Sequence, residues 1–289
     1  MRLKTAQISI LKLITAIVVL VGCDSKPGPP PVPQPGVHVL STVYPLSDIT
    51  KNVGGDHATL DWLVESGGQL GTIDATEPIR RRRAQSNVVV TRGPIDHWAE
   101  EGSIDPSRLI RVSELTGAAH LPAGCAWLNP QVAIDLAQAL ATSMSVIDPK
   151  NESEYRQNAE QYSADLKKLD TEFHSTLASM KGRKFISVRP IFGPMLAPYG
   201  LSEIAPLDVD PTDLSDADLQ TLKETARRQG ATILLIDVAT LPGVQQRLAD
   251  GTGLKLLALD PLGSSASAGR STYIKLMEYN LSQLRDSAQ

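Results

Sequence analysis

One segment, residues 151–180, restricts the possible folds of this 289-residue chain more than any other feature. Its apolar residues recur at spacings of three and four, which is typical of an α-helix with one buried face. These residues are Tyr155, Ala159, Tyr162, Leu166, Leu169, Phe173, Leu177 and Met180. Such a helix would be roughly 40 to 45 Å long at 1.5 Å per residue. Because one small domain needs less, we expect a rigid helix that joins two lobes; an ordinary core helix of one domain is the alternative.

Both ends of this helix are marked in the sequence. Pro149 ends the preceding segment, Asn151 or Ser153 has a side chain suited to capping, and Gly182 follows the last turn. We therefore predict one uninterrupted helix over residues 151–180.

Short β-rich runs alternate with helical stretches on both sides of this segment. Before it they are 37–43, 45–53, 58–64, 78–85, 87–91, 109–112 and 130–147; after it, strands are expected at 184–188, 231–237 and 254–259 and helices at 215–229, 244–250 and 271–284. This alternation predicts an α/β fold of two lobes with mainly parallel sheets flanked by helices. We expect lobes at 37–150 and 181–289, joined by the helix at 151–180.

The N-terminus has the pattern of a secretory signal. Three basic residues precede a largely apolar run at 13–21, which is too short for a stable transmembrane helix and ends in Leu-Val-Gly-Cys at Cys23. The last four residues resemble a bacterial lipobox, which implies removal of residues 1–22 and lipid attachment to Cys23. A signal anchor with an incidental cysteine is the alternative. The proline-rich stretch that follows Cys23, up to residue 36, is typical of an extended tether.

Charge and motif content exclude several functional classes. The formal net charge is −4, and about −7 once the three basic residues of the signal are removed, which argues against nucleic acid as a ligand. The sequence contains no G-x-S-x-G elbow, no H-E-x-x-H helix and no G-x-x-x-x-G-K phosphate loop. We therefore expect a binding protein and not an enzyme.

In open α/β sheets, ligands bind beyond the carboxyl ends of the strands. The segments at these positions are 44–45, 67–72, 92–96, 189–190, 237 and 260–261.

Several short motifs occur in order along the chain from residue 37 to its end. They are Thr-Val-Tyr-Pro-Leu-Ser-Asp-Ile at 42–49, Asn-Val-Gly-Gly-Asp at 52–56, Trp-Leu-Asn-Pro at 127–130, Asp-Pro-Lys-Asn at 148–151, Lys-Gly-Arg-Lys-Phe at 181–185 and Tyr-Asn-Leu at 279–281. Together they resemble the zinc- and manganese-specific binding lipoproteins of bacterial ABC importers, a family that includes adhesin-like members. The resemblance implies two α/β lobes joined by one long rigid helix, the arrangement that the helical pattern also predicts.

The family usually holds its metal with three histidines and an aspartate, or with two histidines and two carboxylates, between the lobes. By the resemblance, the positions of the three histidines fall on Gly71, Cys125 and Arg189, and the aspartate falls on Asp260. Of the histidine-rich loop that relatives have before the second histidine, only His120 remains.

The metal ligands that remain by this resemblance are Asp260 and Cys125, with His120 as a further candidate. A high-affinity zinc site usually needs four protein ligands. Arg189 would place a permanent positive charge beside the metal, so we expect it to pair with Asp260 instead. Each candidate also has a structural alternative: Cys125 as a small buried hydrophobic residue, and Asp260 as a turn or cap residue before a proline.

The resemblance implies an exported protein, lipid-anchored at the bacterial membrane and facing the periplasm or the cell exterior. It would be a monomer that captures its ligand between two lobes and delivers it to an ABC permease and ATPase. Zinc or manganese would be the transported ligand and not a fixed cofactor, and we expect weak metal binding at the altered site. The alternative is a divergent scaffold or sensor that uses the same fold for protein contacts or another small ligand.

Overall fold

The computed structural model describes residues 36–65, 67–68, 70–101, 104–122 and 124–288. The predicted signal, Cys23 and all but the last residue of the tether lie outside these residues. Within them, no helix is both long enough and apolar enough to span a bilayer.

The first lobe contains a four-stranded parallel sheet. Its strands are β1 (Val37–Val43), β2 (Ala58–Val64), β3 (Val88–Thr91) and β4 (Leu109–Arg111), in the order β2-β1-β3-β4. The helices are α1 (Tyr44–Gly54), α2 (Glu77–Gln85) and α3 (Pro130–Ile147). Every residue of β3 is buried, as expected for a strand covered on both faces.

The long helix α4 runs from Glu152 to Leu177 without interruption, with 3-10 turns at Pro149–Asn151 and Ala178–Met180. All eight apolar residues of the predicted pattern are buried, seven of them in α4 and Met180 in the second 3-10 turn. The prediction of one continuous helix is therefore confirmed. Neither expected cap is observed. Ser153 lies inside the helix, and Asn151 makes no capping hydrogen bond but donates from Nδ2 to Asp148 Oδ2 at 2.7 Å.

The second lobe repeats the topology of the first. Its parallel strands are β5 (Lys184–Ser187), β6 (Ser202–Ile204), β7 (Ile233–Asp237) and β8 (Lys255–Leu259), in the order β6-β5-β7-β8. Its helices are α5 (Gly193–Leu196), α6 (Asp216–Gln229), α7 (Pro242–Thr252) and α8 (Tyr273–Asp286).

Helix α4 packs against α1 and α3 of the first lobe and against α8 of the second. One buried apolar cluster consequently extends through both lobes; it includes Leu46, Leu140, Leu166, Phe173, Phe185 and Leu281. The predicted architecture of two parallel-sheet lobes joined by a long helix is confirmed. The lobe limits at 37–150 and 181–289 remain predictions.

Candidate functional site

Loops of the two lobes meet directly through hydrogen bonds. Cys125 N donates to Ile191 O at 2.9 Å, and Trp127 Nε1 donates to Pro261 O at 2.8 Å. Gly124 permits the first contact, because its φ is +138° and a Cβ there would lie 2.7 Å from the Ile191 carbonyl oxygen. Backbone and side-chain hydrogen bonds therefore join the lobes directly in this region.

The same interface has a second part near the start of α8. Tyr44 OH donates to Ser271 O at 2.6 Å, and Tyr273 N donates to Asp48 Oδ2 at 2.7 Å. Tyr273 OH also donates to Trp127 O at 2.8 Å within the buried interior. These bonds attach the second lobe to α1 and to the loop before α3.

Asp260 follows β8 and is almost fully buried. Its Oδ1 accepts the N–H groups of Leu262 and Gly263, both at 2.9 Å, and its Oδ2 accepts Arg270 Nη1 at 2.7 Å. The carboxylate thus closes a turn and neutralises a guanidinium at the same time. The turn role that was the structural alternative for Asp260 is therefore observed.

The expected ion pair between Arg189 and Asp260 is wrong, since Asp260 pairs with Arg270. Arg270 lies ten residues further along, on the loop that leads into α8. Its guanidinium lies over the Tyr279 ring, 5.1 Å from the ring centre, which holds it beside the carboxylate.

Cys125 is buried in the apolar cluster shared by the lobes. Burial holds the pKa of its thiol well above the ordinary value, and the nearby Arg92 and Arg189 guanidinium groups lower it by less. Zinc binds the thiolate and not the thiol. Coordination of a metal by Cys125 therefore requires an unfavourable deprotonation of its thiol. This agrees with the alternative that Cys125 is a small buried hydrophobic residue.

Gly71 has no side chain that could coordinate a metal, and the Arg92 guanidinium contacts its backbone carbonyl. Arg92 donates from Nη1 to Leu70 O at 2.5 Å and from Nη2 to Gly71 O at 3.0 Å. It also forms a buried ion pair with Asp96, whose Oδ2 accepts Thr42 Oγ1 at 2.7 Å. A guanidinium that is paired with Asp96 therefore lies at the first of the predicted ligand positions.

Sequence reasoning placed Arg92 and Asp96 at the end of a strand but gave them no role. The signal that could have identified them is a charge pair four residues apart immediately after a strand that begins with three valines, where burial favours pairing.

His120 is exposed in a turn that follows the 3-10 turn Thr116–Ala118. Among the residues that the structure describes, no group of three or more His, Cys, Asp or Glu side chains is placed to hold a metal ion. Cys125, Asp260 and His120 are thus not assembled into a three-ligand group, and any role of theirs as ligands remains a prediction.

A cavity of about 290 Å³ lies beyond the carboxyl ends of β5 and β7. Its polar lining includes Ser187, Arg189 and Asp237, and Gly67 and Gly68 of the first lobe also line it. Within the described residues, Arg189 Nε is buried without a hydrogen-bond partner and its guanidinium forms no salt bridge.

The loop that carries Arg189 is held by Glu203 of β6. The Glu203 carboxylate accepts the N–H groups of Ile191 at 3.2 Å and Gly193 at 2.6 Å. Burial raises the pKa of Glu203, while these backbone donors lower it. Sequence reasoning missed both β6 and this residue.

Burial raises the pKa of Asp237 from its ordinary 3.8 to about 6. The nearby Asp260 carboxylate also raises this pKa, whereas the N–H of Ala239 and the guanidinium groups of Arg189 and Arg270 lower it. The deprotonated form of Asp237 is therefore energetically unfavourable at neutral pH. Shifted pKa values of this kind are common at functional sites.

Replacing Asp237 with asparagine is expected to stabilise the protein at pH 7. Because the folded pKa is above the unfolded one, the carboxyl group favours folding fully below about pH 4, and this contribution is lost as the pH rises through about 6. The neutral amide avoids that loss, so the free energy of unfolding should rise by about 3 kcal/mol at pH 7 and by almost nothing near pH 4.

Urea unfolding at both pH values measures this difference. The matched control is Asp56→Asn, at a fully exposed carboxylate, which should change stability little at either pH. A loss of stability in Asp237→Asn at pH 7 would contradict the interpretation.

The comparisons with known proteins agree on one family. A family model described as ZnuA, zinc-uptake complex component A periplasmic, matches residues 39–287. The zinc-binding protein AdcA of Streptococcus pyogenes serotype M1 is 23% identical, and the alignment covers 86% of this chain and 55% of that protein. The high-affinity zinc uptake system protein ZnuA of Bacillus subtilis is 23% identical over 87% of both chains. The chain thus spans about half the length of the streptococcal relatives.

Solved structures share the fold. The metal-dependent lipoprotein YcdH from Bacillus subtilis superposes with a TM-score of 0.71 at 23% identity, covering 86% of this chain and 98% of that one. A laminin-binding adhesin of Streptococcus agalactiae gives a TM-score of 0.73 at 20% identity, covering 88% of this chain and 100% of that one.

Proposed function

Because this chain belongs to the family of periplasmic zinc-uptake components, we propose that it is the solute-binding component of an ABC importer of the zinc/manganese class. It captures a ligand between its two lobes and delivers it to a permease that is driven by an ATPase. The observation that carries this proposal is the pair of parallel-sheet lobes fixed by α4, whose loops meet at one interlobe region.

The named functions of the relatives favour the importer over the scaffold or sensor alternative. Relatives along most of the chain are a zinc-binding protein and a zinc uptake system protein. Capture and delivery need no reacting groups, which agrees with a sequence that lacks the common catalytic motifs. In this importer role the protein acts as a monomer and has no catalytic activity.

Cross-linking in native membranes tests the role. Affinity purification of the tagged full-length chain after cross-linking should recover an ABC permease and its ATPase. Recovery of other membrane proteins without either importer subunit would contradict the proposal.

We further propose that Cys23 carries lipid and anchors the mature chain outside the cytoplasmic membrane. Relatives named as lipoproteins in Streptococcus pneumoniae and Bacillus subtilis support this anchor. Replacing Cys23 with serine should abolish lipid labelling and move the protein from the membrane to the soluble fraction. The neighbouring change Ser25→Ala is the control and should leave both unchanged. Unaltered labelling and fractionation in Cys23→Ser would show that the lipobox interpretation is wrong.

The metal that relatives transport is expected to bind weakly here. Two of the four positions that correspond to the family's ligands are Gly71 and Arg189. The other two are a buried thiol at Cys125 and an Asp260 carboxylate that is already paired with Arg270. The proposed role therefore raises the question of which ligand this chain carries.

A further inference from the structure

The cavity beyond β5 and β7 lies at the topological switch point of the second sheet. From β5 the chain passes to β6 on one side of the sheet and then crosses to β7 and β8 on the other side. Ligands of open parallel sheets bind at this point, beyond the carboxyl ends of the strands. The cavity wall contains the end of β5 with Arg189 and the end of β7 with Asp237.

Arg189 supplies an unpaired positive charge to this cavity. The Arg92 and Arg270 guanidinium groups pair with Asp96 and Asp260, whereas Arg189 makes no such pair with any described residue and its buried Nε lacks an acceptor. A buried donor without a partner is unfavourable unless a ligand or water satisfies it. A carboxylate is the group that a guanidinium binds best, through two parallel hydrogen bonds.

Asp237 supplies a negative charge to the same cavity. Its Oδ1 accepts Ala239 N at 2.8 Å, and among the described residues its carboxylate has no other hydrogen-bond partner and no salt bridge. A second carboxylate on the wall, Asp210, also has one oxygen engaged, since its Oδ1 accepts the N–H and hydroxyl groups of Thr212 at 2.9 and 2.7 Å; it belongs to the loop before α6 and not to the end of a strand. Asp237 is therefore an available acceptor for a positively charged group at the carboxyl end of β7.

The rest of the wall is largely apolar. It includes Val188, Phe192, Val244 and Leu248, with Leu241 at the rim, where its side chain is 62% exposed. Leu241 is also the N-cap residue of α7 and makes no side-chain cap, so the positive end of this helix adds to the attraction of Arg189 for an anion. The cavity thus combines one cationic position, one anionic position and an aliphatic surface.

We propose that this cavity binds a small α-amino acid with an aliphatic side chain. Its carboxylate pairs with Arg189, its ammonium group pairs with Asp237, and its side chain contacts Phe192 and Val244. This inference rests on the proposed function, since it names the ligand class that an importer component would capture between its lobes.

Calorimetry on the full mature chain tests the inference with three matched probes. They are L-leucine, 4-methylpentanoate, which lacks the ammonium group, and 3-methylbutylamine, which lacks the carboxylate. L-leucine should bind, and each truncated probe should bind at least about tenfold more weakly. Arg189→Gln and Asp237→Asn should each weaken L-leucine binding at least about tenfold. The exposed controls Arg81→Gln and Asp56→Asn should leave it unchanged.

Three results would overturn the inference: no binding of L-leucine at about 10 mM, equal binding of 4-methylpentanoate, or full affinity in Arg189→Gln. Membrane cross-linking separates this failure from a failure of the importer role. Capture of permease and ATPase by a chain that does not bind L-leucine would refute the ligand class alone. L-leucine binding without capture of an importer would refute the transport role alone.

Discussion

Replacing Leu166 with proline is expected to unfold the protein or leave it barely stable. Leu166 is fully buried in the middle of α4, within the apolar cluster that extends through both lobes. Proline removes a backbone hydrogen bond and kinks the helix, at a cost of about 3 kcal/mol or more. Loss of the buried leucine side chain adds about 2 kcal/mol or more. The sum is similar to the whole stability of many domains, about 5 to 15 kcal/mol.

Urea unfolding of two further variants separates the two costs. Leu166→Ala removes the side chain and keeps the helix, so it should fall between wild type and Leu166→Pro. Lys167→Ala, on the exposed side of the same turn, should change stability little. If Leu166→Pro were no less stable than Leu166→Ala, α4 would not be the continuous rigid connection described above.

A second large effect is expected on zinc binding when histidines are returned to the family's ligand positions. In Gly71→His the new side chain has room, because a Cβ at this glycine meets no heavy atom within 4 Å. In Arg189→His a permanent cation is exchanged for a zinc ligand. The double variant should bind zinc at least about 100-fold more tightly than the wild type.

The structure suggests a third substitution that should increase zinc affinity. Asp260 is paired with Arg270, so Arg270→Gln on the double-histidine background should free the carboxylate and increase zinc affinity again. The control is Gly71→Ala with Arg189→Ala, which removes the charge without supplying ligands. An equal gain in the control would mean that charge removal, and not coordination, explains the effect.

Most of the fold could be predicted from the sequence because its elements are long and regularly patterned. The runs at 37–43, 58–64 and 130–147 coincide with β1, β2 and α3. Strand β6 and helix α5 were missed, because Ser-Glu-Ile and Gly-Pro-Met-Leu are short and do not begin with the apolar pair that marks the equally short β4.

The candidate site was only partly predictable. Motif order predicted ligand positions at Gly71, Cys125, Arg189 and Asp260, which remain predictions, and it could not show which charges pair. The partner of Asp260 depends on how the loop after β8 folds back to place Arg270, and no spacing rule encodes that path.

The contact between Arg92 and Gly71 was unpredictable for a related reason. It is a hydrogen bond to a backbone carbonyl 21 residues away, and side-chain patterns carry no information on such contacts.

Zinc titration of the unmodified mature chain tests the central claim most directly, namely that a member of a zinc-uptake family has an interlobe site unsuited to metal. Calorimetry with zinc, repeated with manganese, should give micromolar or weaker binding, because the predicted ligand positions hold a glycine, an arginine, a buried thiol and a carboxylate that is paired with Arg270. Nanomolar zinc binding would contradict the account.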